Sequence, residues 1–135
     1  GEEIRRVGKE FGAVTGRNRR CGWGDLVALK YAIMVNGVTD LVMMKADVLD
    51  SFEEIKVCVA YEKDGERTED MPYDTEGWAP VYETLPGWHC DLTGVRAEAD
   101  FPKEYADYIA YLEKKLETPI AILSVGPERD ATIIR

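Results

Sequence analysis

The chain has 135 residues, of which 45% are hydrophobic and 32% are charged, as in a globular domain with a single core. No apolar run approaches the roughly 20 residues that span a bilayer and no signal-peptide pattern opens the sequence, so we expect a cytoplasmic protein without a membrane partner. The formal net charge of −9 argues against general nucleic-acid binding, which depends on a basic surface.

The first predicted elements are a loop and a helix. The opening hexapeptide GEEIRR has no initiator methionine, and we expect the chain to be an excised piece of a longer protein. Residues 7–24 are rich in glycine and contain an arginine cluster, which predicts a loop rather than a regular element. Asp25 is expected to begin a helix that reaches about Val35, because apolar residues recur at helical spacing before the stop signal Asn36–Gly37.

The middle of the chain predicts short strands. Val38–Met44 is an apolar run between turn signals, which is typical of a buried strand. Ile55–Tyr61 favours a second strand, and Asp64–Gly65 after it indicates a tight hairpin turn. The acidic, turn-rich stretch Thr68–Pro80 predicts a surface excursion, and Val81–Leu85 a further strand.

The clearest predicted helix is Pro102–Glu117, where Tyr105, Ile109, Leu112 and Leu116 share one face. Ile120–Leu123 and Ala131–Ile134 are predicted strands, with a turn between them. Because strands alternate with helices, we predict the α/β class, with a largely parallel sheet and flanking helices.

Lys45 and Asp47 directly follow a predicted strand, where an open α/β sheet gathers its ligands. Guanine has two neighbouring N–H donors on its Watson–Crick edge, and one carboxylate can accept from both. A lysine two residues earlier can lay its methylenes along the base while its ammonium stays solvated. This spacing suits a guanine reader, although a solvated lysine and a helix-capping Asp47 would give the same pattern.

Ser124–Pro127 also follows a predicted strand. Its Gly126 would let the backbone approach a ligand closely, and Ser124 offers a hydroxyl for hydrogen bonding. A plain turn between strands is the alternative. The occurrence of two such segments after strands favours one shared base pocket.

The segment 12–20 concentrates arginines in an otherwise acidic chain. Arg17 and Arg19, in a glycine-flanked loop, could direct two guanidinium groups at one carboxylate or phosphate, with Thr15 assisting. A solvated basic loop, or one paired with nearby acids, is the alternative.

Cys21, Cys58 and Cys90 are odd in number and lack metal-ligand spacing, so we expect reduced thiols in a cytosolic protein. Cys21 lies beside the arginine cluster, which leaves a catalytic thiol as an alternative, but no base accompanies it. His89 is the only histidine and excludes a multi-histidine metal site.

Five blocks, in this order, resemble the adenylosuccinate synthetase family. Residues 12–23, GAVTGRNRRCGW, resemble the family's aspartate-binding loop, whose usual form is GTTTGR or close to it. Residues 45–50, KADVLD, resemble its KLDVLD. The later matches are IKVCVAY (55–61), YETLPGW (82–88) and SVGPER (124–129).

The resemblance implies a ligase of AMP biosynthesis that phosphorylates the 6-oxygen of IMP with GTP, after which the amine of L-aspartate displaces phosphate, aided by Mg²⁺. It makes residues 1–135 the C-terminal portion of a P-loop-NTPase-like nucleotide-binding fold, in a homodimeric enzyme. By match of motif, the aspartate loop comprises Ala13, Val14, Thr15, Gly16, Arg17, Asn18 and Arg19, with Arg17 also reaching IMP. The implied GTP-binding residues are Arg19, Lys45, Ala46, Asp47, Ser124, Val125 and Gly126.

The sequence departs from the family pattern at uncharged positions. Ala13 and Val14 stand where hydroxylated residues are common, and Ala46 stands where leucine is usual. Because the charged groups are kept, we expect the activity to be kept in the intact enzyme.

The family's phosphate-binding loop, catalytic Asp and His, and Mg²⁺ site belong to the N-terminal region, and none of their motifs occurs here. We therefore assign no catalytic residue and no metal ligand, and we expect this segment alone to be inactive. Two alternatives remain on the sequence: a non-enzymatic guanine-nucleotide-binding or regulatory α/β module, and a small acidic interaction domain without a small ligand.

Overall fold

The computed structural model describes residues 1–135 and contains three α-helices and seven strands. The helices are α1 (Glu2–Val7), α2 (Leu26–Asn36) and α3 (Lys103–Leu116). The strands are β1 (Gly24–Asp25), β2 (Leu41–Met43), β3 (Glu54–Lys63), β4 (Glu66–Thr68), β5 (Ala79–Pro86), β6 (Ile120–Ser124) and β7 (Thr132–Ile134). Short 3₁₀ helices span Ala46–Leu49, Leu92–Gly94, Glu98–Asp100 and Arg129–Ala131.

The two predicted helices are confirmed, and their ends follow from their capping residues. The Asp25 carboxylate caps α2 by accepting a hydrogen bond from the Ala28 N–H at 3.0 Å, and Gly37 ends the helix in the left-handed conformation at φ 60°. The predicted apolar face of α3 is buried together with Tyr108. Neither helix, nor α1, has the length and apolar character needed to cross a bilayer.

Strand β3 is the centre of the first sheet. Strand β5 runs antiparallel along one edge of β3, with Glu54 opposite Pro86 and Glu62 opposite Ala79. The opposite edge carries β1 in parallel and β4 in antiparallel orientation. The predicted hairpin turn is confirmed, because Asp64 and Gly65 both take positive φ, at 51° and 84°, between β3 and β4.

The second sheet has the order β2–β6–β7. Strands β2 and β6 are parallel, with Leu41 opposite Ile120 and Met43 opposite Leu123, and β7 returns antiparallel to β6. Because β2 and β6 point the same way, the residues that follow both strands emerge at the same edge of the sheet.

The α/β class is confirmed, but the prediction of a largely parallel sheet is wrong. Two of the five strand pairings are parallel and three are antiparallel. The error lies in the stretches from β3 to β5 and from β6 to β7, neither of which contains an α-helix. Without a helical crossover, consecutive neighbouring strands pair antiparallel.

One core joins both sheets. Its buried members include Val57 and Val59 of β3, Leu123 of β6, Ile133 of β7 and the apolar face of α3. Trp88, after β5, packs edge-on against Tyr105 of α3 with the ring centroids 5.0 Å apart.

Asp50 ties the residues after β2 to the residues after β5. Its carboxylate accepts hydrogen bonds from the Trp88 indole N–H at 2.7 Å and from the Leu92 backbone N–H at 2.9 Å. Both donor residues are buried. Burial raises the pKa of the Asp50 carboxyl, and these two hydrogen bonds oppose that rise.

We predict that Asp50→Ala in the full-length protein destabilises this domain by about 1–3 kcal/mol for each buried donor left unpaired. Urea denaturation measures the loss as a lower midpoint. Glu62→Ala, which removes an exposed carboxylate from β3, is the matched control and should change stability by no more than about 0.5 kcal/mol. Equal midpoints for the two variants would contradict this role of Asp50.

Candidate functional site

A cleft of 670 Å³ lies beyond the carboxyl ends of β2 and β6. It brings together Lys45 and Asp47, which follow β2, with Ser124 and Gly126, which end or follow β6. These are the two segments for which the sequence predicted one shared pocket. The remaining lining residues are Val7, Gly8, Lys9, Met44, Val48, Pro127, Glu128, Arg129 and Thr132.

Asp47 supplies the most unusual polar group in the cleft. It lies in the 3₁₀ helix Ala46–Leu49, where its Oδ1 atom is buried and accepts no hydrogen bond. A buried acceptor without a donor costs about 1–3 kcal/mol, so such atoms are rare in folded proteins. Asp47 is not the cap of the 3₁₀ helix, whose N-cap residue is Lys45, so capping does not account for this oxygen.

Lys45 has a backbone conformation that lysine seldom adopts. At φ 61° and ψ 33° it is left-handed, and it forms the corner between β2 and the 3₁₀ helix. Its Nζ atom donates to the Gly8 carbonyl at 2.9 Å and forms an ion pair with Glu10. The ammonium is therefore held by the protein, and the methylene stem is the part of Lys45 that is free to line the cleft.

The Ser124–Gly126 turn is closed by its own hydrogen bonds. The Ser124 hydroxyl donates to the Gly126 carbonyl at 3.0 Å, and the Val125 N–H donates to the Ala131 carbonyl at 3.0 Å. A Cβ atom at Gly126 would lie 3.3 Å from the Ala131 Cβ, so a side chain there would crowd the turn.

The side chains of Ala46 and Val125 do not line the cleft. Both are buried in the core, at 1% and 0% exposure. Of the residues assigned to GTP by resemblance, these two could contact a ligand only through their main-chain atoms. The replacement of leucine by Ala46 therefore changes the packing of the core rather than the lining of this cleft.

The arginine loop, residues 12–19, is a short hairpin. The Gly12 N–H donates to the Arg17 carbonyl and the Gly16 N–H donates to the Gly12 carbonyl, both at 2.8 Å. Phe11 and Asn18 form an antiparallel bridge, and Gly16 is left-handed at φ 65°. Its tip is solvated, since Val14 is 97% exposed.

The arginines of this loop differ in their partners. Arg19 donates from Nη1 to a Glu10 carboxylate oxygen at 2.8 Å. The Arg17 side chain is exposed and makes no hydrogen bond or ion pair within the chain. One arginine of the loop is therefore paired with a nearby acid, as the alternative interpretation predicted, and the anion site at Arg17 stays a prediction.

Glu10 is the site residue that sequence reasoning missed. One carboxylate oxygen accepts a hydrogen bond from Lys45 and the other accepts one from Arg19. The hydrogen bonds from Lys45 and then Arg19 hold the pKa of Glu10 below its usual range, so the group stays ionised. The available signal was an acidic residue immediately before an arginine-rich loop.

The remaining ionisable side chains lie apart from one another. No three His, Cys, Asp or Glu side chains are grouped to hold a metal ion, so this segment alone supplies no complete ligand set for Mg²⁺. The three cysteines are free thiols, and burial raises the pKa of the Cys58 thiol. His89 is exposed and does not line the cleft.

The chemistry open to this arrangement is recognition. A flat, donor-bearing base could enter the cleft against Lys45 and donate to Asp47, while an anion could bind the exposed guanidinium of Arg17. Glu10 links the two regions, because it contacts a residue of each.

The chain is similar to members of the adenylosuccinate synthetase family. The sequence profile described as adenylosuccinate synthetase matches residues 1–133. The adenylosuccinate synthetases of Porphyromonas gingivalis and Phocaeicola vulgatus are 62% and 61% identical to the chain. Each match covers 100% of this chain and 32% of the relative, so the chain spans about a third of the length of these relatives.

The fold gives the same result. The structure of fully ligated adenylosuccinate synthetase from Plasmodium falciparum superposes with a TM-score of 0.94 at 36% sequence identity. The likeness covers 100% of this chain and 34% of that one. With a family profile that matches nearly every residue and relatives above 60% identity, the chain belongs to the adenylosuccinate synthetase family.

Proposed function

We propose that the full-length protein carrying this segment joins L-aspartate to IMP with GTP, giving adenylosuccinate, GDP and phosphate in AMP biosynthesis. The observation that carries the proposal is the cleft at the ends of two parallel strands, which brings Asp47 and Lys45 together with the Ser124–Gly126 turn. Membership of the adenylosuccinate synthetase family supports it.

The cleft binds the guanine base of GTP. Asp47 lines the cleft and accepts from the N1–H and the 2-amino group, because one carboxylate can take both donors. The Lys45 stem packs along the base because its ammonium is held by Gly8 and Glu10. The turn after β6, formed by Ser124, Val125 and Gly126, borders the base on the β6 side of the cleft. Ala46 and Val125 contact the base through their main-chain atoms.

The arginine loop binds L-aspartate. Ala13, Val14, Thr15, Gly16, Arg17, Asn18 and Arg19 form it, and the exposed guanidinium of Arg17 captures a carboxylate and reaches IMP. Arg19 reaches GTP while its Nη1 atom stays on Glu10. Bidentate pairing suits a guanidinium for this task, since the two N–H donors match the two carboxylate oxygens.

The chemical steps belong to the remainder of the protein. In the first step the 6-oxygen of IMP attacks the γ-phosphorus of GTP and GDP leaves. In the second step the aspartate amine displaces phosphate. Mg²⁺, which neutralises phosphate charge, is bound outside this segment, as are the phosphate-binding loop and the catalytic residues. Residues 1–135 orient the base and the incoming aspartate for these steps.

The larger setting of the segment follows from the same proposal. It is the C-terminal portion of a P-loop-NTPase-like nucleotide-binding fold, in a cytoplasmic homodimer. Formation of adenylosuccinate from IMP, GTP and aspartate by the full-length protein tests the function directly. Tight GDP binding without turnover would instead favour a non-enzymatic guanine-nucleotide-binding module.

We predict that Asp47→Asn shifts the preference of the protein from guanine toward xanthine nucleotides. The asparagine amide presents one acceptor and one donor, and the donor would face the 2-amino group of guanine, leaving a buried N–H unpaired at about 1–3 kcal/mol. Xanthine has a carbonyl oxygen at that position and suits the new donor. The kcat/KM of the full-length variant with GTP should therefore fall. The ratio of its kcat/KM with xanthosine triphosphate to its kcat/KM with GTP should rise.

The steady-state constants of the Asp47→Asn variant for IMP and aspartate should change little. Asp70→Asn alters an exposed carboxylate with no hydrogen-bond partner and serves as the matched control. Equal losses with the two nucleotides would mean that Asp47 supports the fold and does not read the base.

We predict that Arg17→Leu weakens aspartate capture far more than GTP binding. Removing one partner of a desolvated guanidinium–carboxylate pair costs about 2–5 kcal/mol, which would appear mainly in the KM for aspartate. Arg67→Leu removes an exposed arginine from β4 and provides the control for net charge. If kcat and the KM for aspartate both stay within about twofold of wild type, a change of roughly 0.4 kcal/mol, the loop is not the aspartate site.

A further inference from the structure

Glu10 carries one negative charge and contacts two positive charges from different parts of the molecule. Lys45 and Arg19 occupy separate oxygens of the same carboxylate. The Glu10 side chain is only 20% exposed, whereas the side chains of Lys45 and Arg19 are 53% and 59% exposed. Glu10 is thus the most buried member of the group and the one that contacts both cations.

The main chain anchors this group at both ends. The Arg19 N–H donates to the Glu10 carbonyl at 3.1 Å, and Arg5 Nε of α1 donates to the Arg19 carbonyl at 2.7 Å. On the other side, the Gly8 carbonyl accepts from Lys45 at 2.9 Å. Continuous polar contacts therefore run from the corner after β2 to the base of the arginine loop.

One end of this chain of contacts, at Lys45, borders two cavities, and the other end lies in the arginine loop. Lys45 lines the 670 Å³ cleft, and Lys45 and Glu10 together line a neighbouring cavity of 190 Å³ that reaches Trp23. Arg19 belongs to the same loop as Arg17, whose guanidinium has no partner within the chain. A change of rotamer at Glu10 would therefore change side-chain positions at both the cleft and the loop.

We propose that Glu10 is a positioning residue that couples occupancy of the base cleft to carboxylate binding on the arginine loop. The proposal rests on the function proposed above and adds to it a coupling between the two ligands. A base packed on the Lys45 stem fixes Lys45, which fixes Glu10 and Arg19 and so orders the loop. The second ligand then meets a loop that is already ordered. It loses less conformational entropy on binding, which gives positive cooperativity.

The size of the coupling follows from the number of side chains ordered. Ordering one rotamer-rich side chain at a binding site typically weakens binding by about 2- to 12-fold, so sparing one such loss should tighten the second ligand about 3- to 10-fold. The coupling is reciprocal: GDP should tighten aspartate by the same factor by which aspartate tightens GDP.

The test is calorimetry on the full-length protein, titrated with GDP in saturating IMP and again in saturating IMP with L-aspartate. GDP lacks a γ-phosphate, so no turnover disturbs the measurement. The ratio of the two dissociation constants is the coupling factor. Because it is a ratio within one variant, a general loss of stability does not move it.

Two variants test whether the bridge, rather than the charge alone, carries the coupling. Glu10→Gln keeps the size of the side chain and removes the charge, and Glu10→Asp keeps the charge but is one methylene too short to span both cations. Each should lower the coupling factor more than twofold. Glu3→Gln, which breaks the exposed Glu3–Arg6 pair in α1, is the matched control and should leave the factor unchanged.

The outcomes separate the two proposals. Wild-type protein that fails to bind GDP overturns both the proposed function and the coupling. Wild-type protein that binds GDP with a coupling factor of one, or Glu10 variants whose factor stays within twofold of wild type, overturns the role of Glu10 alone. A lowered factor in both Glu10 variants, with the Glu3 control unchanged, supports it.

Discussion

Strands β2 and β6 lie side by side in parallel, with Leu41 opposite Ile120 and Met43 opposite Leu123, and the arrangement of the candidate site depends on this pairing. Parallel strands release the chain at the same edge of a sheet. The Lys45–Asp47 corner and the Ser124–Gly126 turn, distant in sequence, therefore border one cleft. An antiparallel pairing of the same strands would place these two segments at opposite ends of the sheet and leave no pocket between them.

Most elements of the fold could be predicted from local sequence because their signals are local. The cap at Asp25, the stop at Gly37 and the Asp64–Gly65 turn each act over a few residues. Sheet orientation depends on which strands meet in space, and apolar periodicity does not carry that information. The parallel prediction failed for β3–β5 for this reason. The short 3₁₀ helices were also missed, since one turn is too short to show a period.

The site could be predicted in part, and the limits differ from residue to residue. Lys45, Asp47, Ser124 and Gly126 were recognisable because each follows an apolar run and bears a polar group or a glycine, and the structure brings all four to one cleft. The burial of the Ala46 and Val125 side chains was not visible in the sequence, where the resemblance placed both in the GTP-binding set. Glu10 was missed because its partner Lys45 is remote in the chain. Long-range ion pairs leave no periodic trace in a sequence.

The left-handed backbone at Lys45 sets fold stability and recognition against each other. A residue with a Cβ atom in this conformation costs roughly 1–2 kcal/mol, whereas glycine adopts it freely. A mutation to glycine would therefore relieve the strain at the corner after β2. It would also remove the methylene stem that lines the cleft and the ammonium that pairs with Glu10. Selection for stability alone would favour glycine at position 45, whereas selection for ligand binding would keep lysine there. A lysine kept at such a position across the family would be a mark of function rather than of architecture.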